Sequence, residues 1–398
     1  MPQPEENKST FFFTDRSRQV AFQKCPRLRF WGSVYGGWGI SPALPNLDME
    51  LGKAIHEGIA GMLDGKGLDE PLEASALSLR EALSQSFPPA LVDAYLQLQE
   101  GLLRAFWFIW YPRLSARFQI VGTPEQEMLA EIQPRSGILH MSRPDAILRD
   151  KSTGEYGTWS LKTSSFNDQA ALELEYRTDT QGLSEIWAAE QYFNHKLSWA
   201  QMFFIHTGAK EVVEGGHLHT SPVYQGWFKD DGLGSVQLAH SYWWKDPMGK
   251  KKGLGQAWKR FNVAEMYEGG IERWITDLQA GKIQPEAGNP LEDIFFCPPA
   301  NYRNPADIEE WKKSTLYQEK EIRWAAGMYN NIEVEDEMKD QILFNIFPQH
   351  RGSCIYMKRK CSMYQLCHGT AGEAEDPFSN GFKWREINHP QEKPKGEV

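Results

Sequence analysis

The sequence predicts an α/β fold in which a mixed sheet is flanked by helices and followed by a helical cap. Apolar residues at helical spacing predict a helix over Leu47–Leu63 and a longer helical stretch over 76–110 that Pro112 ends. Between 117 and 165 the pattern changes to short strand-like runs: R-F-Q-I-V, E-M-L-A-E-I, I-L-H-M-S-R-P-D-A-I-L and Y-G-T-W-S-L-K-T. The last two runs are separated by D-K-S-T-G-E, a turn in which Gly154 supplies the permissive backbone.

Further elements follow in the same alternating order. A helix is predicted over about 180–195 and a strand at S-W-A-Q-M-F-F-I-H, with more strands at V-Y-Q-G-W-F and S-V-Q-L-A-H-S-Y-W-W. Helices are expected near 262–281, 307–314 and 317–330. We expect a flexible leader over 1–20, a single domain over 21–368 and a flexible acidic tail over 369–398. Within the domain, we expect an N-terminal helical part over 21–115, a sheet-bearing part over 116–260 and a helical cap over 261–368.

Composition indicates a globular protein without a membrane partner. The chain has 398 residues, 41% of them hydrophobic, which is ample for a substantial core. No apolar run approaches the roughly 20 residues that span a bilayer. The polar start M-P-Q-P-E-E-N-K is unlike a secretory signal. We therefore expect a cytoplasmic protein with reduced thiols, in which clustered cysteines bind metal rather than form disulfides.

The net charge of -10 gives no overall attraction to nucleic acid, so any such contact depends on local basic patches. Single basic runs are more often solvated surface than binding sites. The candidate patches are Arg16, Arg18, Arg27 and Arg29, then Lys250, Lys251 and Lys252, and last Lys358, Arg359 and Lys360.

Three of the five cysteines lie close together near the C-terminus, as Cys354-x6-Cys361-x5-Cys367. A tetrathiolate site needs a fourth ligand, and the candidates are Cys25 and Cys297. The apolar neighbours of Cys297 in I-F-F-C-P-P favour a buried thiol, which leaves Cys25 as the better candidate. Zinc remains an alternative, but zinc sites usually come as C-x2-4-C knuckles, and the wider spacing here favours an iron–sulfur cluster.

A second group of residues could carry hydrolytic chemistry. Asp145 lies on one predicted strand and Ser160-Leu161-Lys162 on the next, so a hairpin could place an aspartate and a lysine side by side. The carboxylate could hold Mg²⁺, and the lysine could orient a water molecule and stabilise developing negative charge. His56, on the first predicted helix, could add a nitrogen ligand or transfer a proton.

The order of these segments resembles the RecB-like branch of the PD-(D/E)XK nuclease superfamily. The segments run from C-P-R-x-R-F-W and L-G-K-A-I-H-E through S-R-P-D-A-I-L, W-S-L-K-T-S and T-Q-G-L-S-E-I-W to the cysteine cluster. The likeness is greatest to the iron–sulfur members, namely AddB-type nuclease domains, CRISPR-associated RecB-like exonucleases and related phage enzymes. It implies a restriction-endonuclease-like sheet and a cap tied to the N-terminus by a 4Fe–4S cluster on Cys25, Cys354, Cys361 and Cys367.

The resemblance also implies roles for individual residues. His56 matches the family's metal-adjacent histidine, Asp145 its metal-binding aspartate and Lys162 its catalytic lysine. Either Glu125 or Glu127 matches the acidic residue of the preceding strand. Gln181 matches the helix glutamine, with Gln191 as an alternative, although Glu185 stands where a tyrosine usually follows. Arg27, Arg29, Lys358, Arg359 and Lys360 would form a DNA-binding surface beside the cluster.

One position departs from the pattern, because Ser160 stands where the family has its second acidic residue. A neutral hydroxyl is a poor substitute for a carboxylate in holding a hard dication. One hypothesis is that the carboxylate has migrated, with Glu173 or Glu175 on a following helix reaching the metal. The other hypothesis is a lapsed site on a nuclease fold.

The predicted function is a metal-dependent DNA exonuclease that uses Mg²⁺ or Mn²⁺ on single-stranded DNA or DNA ends. A helicase or recombination partner would be consistent with it. The first alternative is a catalytically lapsed DNA-binding or assembly subunit. The second is a redox or zinc-stabilised protein, against which stands the absence of a G-x-G-x-x-G motif.

Overall fold

A computed structural model gives the fold of the chain. It describes residues 11–164, 168–207, 210–213, 217–220, 229–230, 236–244, 255–262, 295–331, 333–356, 359–369, 376–386 and 392. The helices are α1 (Arg16–Lys24), α2 (Pro26–Ser33), α3 (Leu47–Leu63), α4 (Asp69–Ser84), α5 (Pro89–Ala105), α6 (Tyr111–Arg117), α7 (Gln169–Thr178), α8 (Gln181–Phe193), α9 (Pro305–Tyr329), α10 (Asp336–Asn345) and α11 (Tyr364–His368). A π-helical turn, Phe106–Trp110, joins α5 to α6.

The described strands occur mainly in runs between groups of helices. They are β1 (Phe12–Asp15), β2 (Ile40–Pro42), β3 (Phe118–Val121), β4 (Met128–Glu131), β5 (Ile138–Ser142), β6 (Ala146–Asp150), β7 (Tyr156–Ser164), β8 (Trp199–His206), β9 (Lys210–Val213), β10 (His217–Thr220), β11 (Lys229–Asp230), β12 (Val236–Trp244), β13 (Gly255–Asn262), β14 (Phe295–Phe296), β15 (Asn301–Tyr302), β16 (Ile355–Tyr356), β17 (Arg359–Lys360) and β18 (Phe382–Trp384). The predicted α/β class is confirmed. The predicted strand V-Y-Q-G-W-F and the helix near 262–281 lie outside the described residues.

The central sheet is mixed and has the order β14-β8-β7-β6-β3, with β15 also pairing with β8. Strands β6 and β7 form an antiparallel hairpin in register Ala146↔Trp159, and β7 runs parallel to β8. The parallel pair needs a crossover, which α7 and α8 provide. A second sheet has the order β1-β5-β4, with β1 parallel to β5.

Helices cover this central sheet on both faces. On one face, α3 to α6 enclose a large apolar core with side chains of β6, β7 and β8, including Trp159 and Phe203. On the other face, α8 lies between the two sheets, and residues on all its sides are buried, including Ile186 and Trp187. A helix that is buried on all sides has a fixed position, so its polar side chains are held in place.

A third core joins the two ends of the chain. Phe30 and Trp31 of α2 pack with Ile322 of α9 and with Met363 and Leu366 near the C-terminus. A buried polar network lies beside this core. There Glu319 accepts hydrogen bonds from Thr14 Oγ1 at 2.6 Å and Arg29 Nη2 at 3.0 Å. The network links β1, α2 and α9, which are far apart in the sequence.

Three of the predicted helices have different limits in the structure. The stretch predicted as one helix over 76–110 is divided between α4 and α5, because Pro88 and Pro89 lack the backbone N–H that a continuing helix needs. Pro112 does not end a helix. It lies in the first turn of α6, where the missing N–H costs nothing. Conversely, the predicted helices 307–314 and 317–330 are one helix, α9.

The predicted terminal segments are also partly wrong. Residues 12–20 of the expected flexible leader lie in β1 and α1. In the expected flexible tail, β18 pairs with β2, Phe382 is buried, and Arg18 and Arg385 form ion pairs with Glu392. Apolar and charged anchors therefore hold both segments against the domain. Within the part of the chain that is described, no helix is both long and apolar enough to cross a membrane.

Candidate active site and cysteine cavity

His56 is brought to the sheet by the glycine that precedes it by one helical turn. Residues four apart lie on the same face of a helix, so Gly52 and His56 both face β7. A Cβ on Gly52 would lie 3.0 Å from Thr163 Oγ1, so the glycine lets α3 approach the strand closely. The spacing L-G-x-x-x-H thus has a packing reason: it places the imidazole over the end of the β6–β7 hairpin.

Asp145 is the centre of the site. It directly precedes β6, and its Oδ2 accepts a 2.6 Å hydrogen bond from the Leu161 N–H of β7. Its Oδ1 lies 2.5 Å from His56 Nδ1. Although burial disfavours the charged carboxylate, His56, the Leu161 N–H and Lys162 together lower the pKa of Asp145. This aspartate is therefore held ionised in a fixed orientation.

Glu125 completes a group of three potential ligands. Its Oε1 is 3.8 Å from His56 Nδ1, and its backbone N–H donates to Asp145 O at 3.0 Å. Glu125 has a φ of 52°, a left-handed conformation that a residue with a side chain rarely adopts. Such strain persists only where the surroundings hold it, and it is common at functional sites. Burial and the nearby Asp145 charge raise the pKa of Glu125.

The geometry of this group suits one divalent cation. Ligand atoms of His56, Glu125 and Asp145 all lie within 4.8 Å of one another. Opposite ligands of an octahedral Mg²⁺ lie about 4.2 Å apart, so a small inward movement would allow all three to bind one ion. The His56 and Glu125 side chains are 26% and 27% exposed, so an ion and its water molecules could enter from solvent. Of the two predicted glutamates, Glu125 belongs to the group and Glu127 does not.

Lys162 lies on the same face of β7 as Ser160, two residues away. Within the described residues, its ammonium group has no hydrogen bond or ion pair closer than 4 Å. Burial and the nearby Arg16 lower the pKa of Lys162, while the Asp145, Glu185 and Asp179 carboxylates oppose this change. A lysine near several acids but bound to none is available to a ligand.

Ser160 contacts a carboxylate that the sequence analysis did not assign. Its hydroxyl donates to both oxygens of Glu185, at 2.8 and 2.7 Å, and Gln181 Nε2 donates to Glu185 Oε1 at 2.5 Å. Glu185 is 5% exposed and lies on α8, whose close approach to β8 is permitted by Gly182. The sequence did carry a signal for this contact. The RecB-like pattern has an acid at position 160 and a tyrosine at position 185, and this chain differs at both, with a serine and a glutamate that could have been predicted to interact.

The glutamates proposed to replace the missing acid lie elsewhere. Glu173 forms an ion pair with Arg177 on α7, with 2.6 Å between Oε1 and Nη2. Glu175 is exposed. Among the described contacts, neither carboxylate meets Asp145, Ser160 or Lys162. The helix turns both side chains away from the sheet and buries Leu172 and Tyr176 instead. Gln191, the alternative to Gln181, is exposed at the far end of α8.

The four cysteines of the predicted cluster surround one cavity. Cys25, Cys354, Cys361 and Cys367 line it together with Leu28, Met363 and Tyr364. The His350 N–H points at Cys25 Sγ, 3.4 Å away, and His368 Nε2 lies 3.2 Å from Cys354 Sγ. Cys297 lies elsewhere: it donates to Met202 O, and burial raises its pKa to about 12.

The spacing of these thiols bears on which metal they could hold. Among the described residues, no three cysteine sulfurs lie mutually within 4.8 Å. A tetrahedral zinc ion with Zn–S bonds of about 2.3 Å brings its sulfurs to about 3.8 Å from one another. The sulfurs are therefore too far apart for one zinc ion without rearrangement. All four thiols line the same cavity.

The predicted DNA-binding residues do not form one exposed surface. Arg29 is 1% exposed and paired with Glu319, so it cannot meet a phosphate, and its assignment is corrected to a core residue. Arg27 donates to the Phe347 and Leu343 carbonyl oxygens near the end of α10. Lys360 is exposed beside the cavity, with its Nζ over the Tyr364 ring. Lys358, the side chain of Arg359 and the run Lys250–Lys252 lie outside the described residues.

Neither a protein-family model nor a curated protein sequence matches the chain. The functional argument therefore depends on the geometry of the two sites.

Proposed function

We propose that this protein is a metal-dependent DNA nuclease that hydrolyses phosphodiester bonds, with single-stranded DNA or DNA ends as the preferred substrate. The observation that carries the proposal is the group His56, Glu125 and Asp145, whose ligand atoms lie within 4.8 Å of one another, with Lys162 on the adjacent strand. Oxygen ligands with one imidazole suit Mg²⁺ or Mn²⁺. The RecB-like resemblance supports the same reading and suggests a restriction-endonuclease-like fold.

Each residue has a role that follows from its position. Asp145 and Glu125 would hold the cation, and His56 would either coordinate it or receive a proton. When bound, the cation supplies Lewis acidity toward the phosphate and a water nucleophile. The Lys162 ammonium would stabilise the negative charge that develops on the phosphate oxygens, because no described carboxylate neutralises it at contact distance.

We further propose that the cysteine cavity holds a structural 4Fe–4S cluster. Four thiols that line one cavity support a bound metal group there. The wide spacing of the cysteines in the sequence favours an iron–sulfur cluster over zinc. Its role would be to tie the Cys25 turn between α1 and α2 to the C-terminal segment. DNA would then be the partner on the open side of the active site, where His56 and Glu125 are accessible.

The test is cleavage of end-labelled single- and double-stranded DNA with Mg²⁺ or Mn²⁺ by protein purified without oxygen. We expect Asp145→Asn and Lys162→Met each to lower the rate by about 100-fold or more, the usual effect of removing one electrostatic contact in a transition state. A matched control is Lys53→Met, which removes an exposed lysine on α3 that pairs with Glu50. No cleavage by the wild type, or equal cleavage by the Asp145 and Lys162 variants, would contradict the nuclease proposal. DNA binding without cleavage would favour a lapsed binding subunit.

A further inference from the structure

Glu185 is a buried carboxylate whose described neighbours include no positively charged partner at contact distance. Its hydrogen bonds come from neutral groups, the Ser160 hydroxyl and the Gln181 amide. Among the described residues, no lysine, arginine or histidine nitrogen lies within 4.0 Å of it. A buried acid without a counter-ion is costly, so such a group either takes up a proton or binds a cation.

Hydrogen bonds from β7 connect Glu185 to the candidate cation site. The Ser160 hydroxyl that donates to Glu185 is followed on β7 by the Leu161 N–H that donates to Asp145, so the two carboxylates lie near the same point along the strand. Glu185 lies outside the group of three whose ligand atoms are within 4.8 Å of one another, so it would have to move toward the ion to bind it.

Of the described side chains, the cations that act on Glu185 are Lys162 and Arg16, and Arg16 is already paired with Asp179. A divalent cation between Asp145 and Glu185 would offset the repulsion between these two carboxylates.

A second observation comes from Gln181. Its Oε1 is buried and has no hydrogen-bond partner, although its Nε2 donates to Glu185. A buried acceptor that is left unpaired costs about 1–3 kcal/mol, so a donor is expected there. A water molecule that accompanies a cation would supply that donor. The serine has one proton to share between the two Glu185 oxygens, so lone pairs remain free for a cation.

We propose that Glu185 supplies the second acidic ligand of the cation site, and that Ser160 positions it. The RecB-like pattern has this acid at position 160 on β7, whereas here the proposed acid is Glu185 on α8. Ser160, at the original position, hydrogen-bonds to both Glu185 oxygens, at 2.8 and 2.7 Å. Gln181, one turn earlier on α8, fixes the same carboxylate from the other side. This inference rests on the proposed cation site, but its test does not require DNA cleavage.

The experiment is Mn²⁺ binding to the full chain, followed by electron paramagnetic resonance and isothermal titration calorimetry. We expect Glu185→Gln to weaken Mn²⁺ binding by about tenfold or more, and Ser160→Ala to weaken it by about tenfold, the usual effect of losing a residue that orients a ligand. The double variant Ser160→Asp/Glu185→Gln returns a carboxylate to β7 and should bind within a few-fold of the wild type. That rescue would also show that weak binding by the single variant is not a folding defect.

The control is Glu175→Gln, which tests the acid suggested by spacing and should bind Mn²⁺ as the wild type does. Wild-type affinity in Glu185→Gln, or a loss of affinity in Glu175→Gln instead, would overturn the assignment of Glu185. Absence of Mn²⁺ binding by the wild type would overturn it as well. Mn²⁺ binding that depends on Glu185 in a protein that cleaves no DNA would refute the nuclease proposal and leave this assignment standing.

Discussion

The pKa values of Asp145 and Glu185 shift in opposite directions, although both side chains are buried in the same region. Burial opposes ionisation of both groups. For Asp145 the imidazole of His56, the Leu161 N–H and Lys162 outweigh burial and lower the pKa, whereas for Glu185 the neutral donors do not, and the pKa is raised. Neighbouring acids with separated pKa values are typical of functional sites. The pair therefore supports a chemical role for this end of the hairpin.

The raised pKa of Glu185 gives a prediction for stability without metal. The folded-state pKa of Glu185 lies above the ordinary value of 4.5. The protonated Glu185 side chain therefore contributes fully to stability below pH 4.5, and this contribution is lost as the pH rises through the folded-state pKa. Glu185→Gln removes the ionisation, so we expect the metal-free variant to have a higher melting temperature than the wild type near neutral pH. The difference should shrink as the pH falls toward 4.5.

With divalent metal bound, the wild type should instead have a higher melting temperature than Glu185→Gln. A ligand at 100 times its dissociation constant stabilises the folded state by about 2.7 kcal/mol, so Mn²⁺ should raise the melting temperature of the wild type more than that of Glu185→Gln. Thermal unfolding with EDTA and with Mn²⁺ measures both effects. A metal-free variant that is less stable than the wild type at neutral pH would show that Glu185 serves structure rather than binding.

At the scale of elements, the β6–β7 hairpin positions Asp145 beside Ser160 and Lys162, and Asp150 stabilises its turn. Asp150 accepts hydrogen bonds from Ser152 Oγ at 2.5 Å, from the Ser152 N–H and from Arg117 Nε. The Ser152 hydroxyl, with the backbone N–H groups and Arg117, lowers the pKa of Asp150 to about 2. The turn is therefore stabilised by a carboxylate that must be ionised.

We expect Asp150→Asn to lower the free energy of unfolding by about 1 kcal/mol near neutral pH, less than the pKa shift alone corresponds to, because solvent near this turn screens the interactions. Because the folded-state pKa is depressed, the contribution is present above 3.8 and is lost as the pH falls toward about 2. Urea unfolding of both proteins across this pH range measures the effect. Asp93→Asn, an exposed aspartate on α5, is the control. A pH-independent difference would contradict the ionic explanation.

Gly157 on β7 leaves room for the indole ring of Trp199 on β8. It is paired with Trp199, and a Cβ at this position would lie 2.1 Å from Trp199 Cδ2. Overpacking of a core costs about 1–3 kcal/mol or more, so Gly157→Ala should lower the free energy of unfolding by at least that amount. It should also weaken Mn²⁺ binding, because the strand carries Ser160 and Lys162.

The control for Gly157→Ala is Gly327→Ala on α9, where a Cβ would meet nothing within 4 Å. Alanine is favoured over glycine inside a helix by about 1 kcal/mol, so this variant should be slightly more stable than the wild type. Equal stability of the two variants would mean that the packing of the Trp199 ring does not depend on Gly157. Far-ultraviolet circular dichroism and thermal unfolding provide the comparison.

At the scale of the whole molecule, the two ends of the chain meet in one core. The buried pair of Arg29 and Glu319, the pairing of β18 with β2 and the cysteine cavity all join N-terminal to C-terminal segments. A cross-link from Cys25 to Cys354 would close a loop of more than three hundred residues, worth roughly 5 kcal/mol of unfolded-chain entropy. A metal cluster there would therefore stabilise the entire domain.

We expect protein purified without oxygen to contain iron and acid-labile sulfide, and Cys25→Ser to lose both together with its broad visible absorption. The variant should melt at a lower temperature because the long loop is no longer closed. Cys297→Ser, which alters a thiol outside the cavity, should keep its iron. Zinc in place of iron, or iron retained by Cys25→Ser, would contradict the proposed cluster.

Several features could be predicted from local pattern because they depend on residues close together in sequence. The limits of α3, the β6–β7 hairpin, and the placement of Asp145 beside Lys162 follow from periodicity and turn chemistry. The break between α4 and α5 was missed although two prolines marked it, because the apolar spacing continued on both sides. The spacing of apolar residues shows which face of a helix or strand is apolar. It does not show which other element that face packs against.

The sequence by itself determined the α/β class. It also predicted His56, Asp145 and Lys162 as site residues and Cys25 as the fourth thiol of the cluster, because residue type and spacing restrict these choices. The tertiary structure alone decided that Glu185 meets Ser160, that Glu173 and Glu175 do not, and that Arg29 is buried. The physical reason is the same in each case. Contacts between separate elements depend on how helices pack on the sheet, and that packing is settled by the burial of all the apolar faces together.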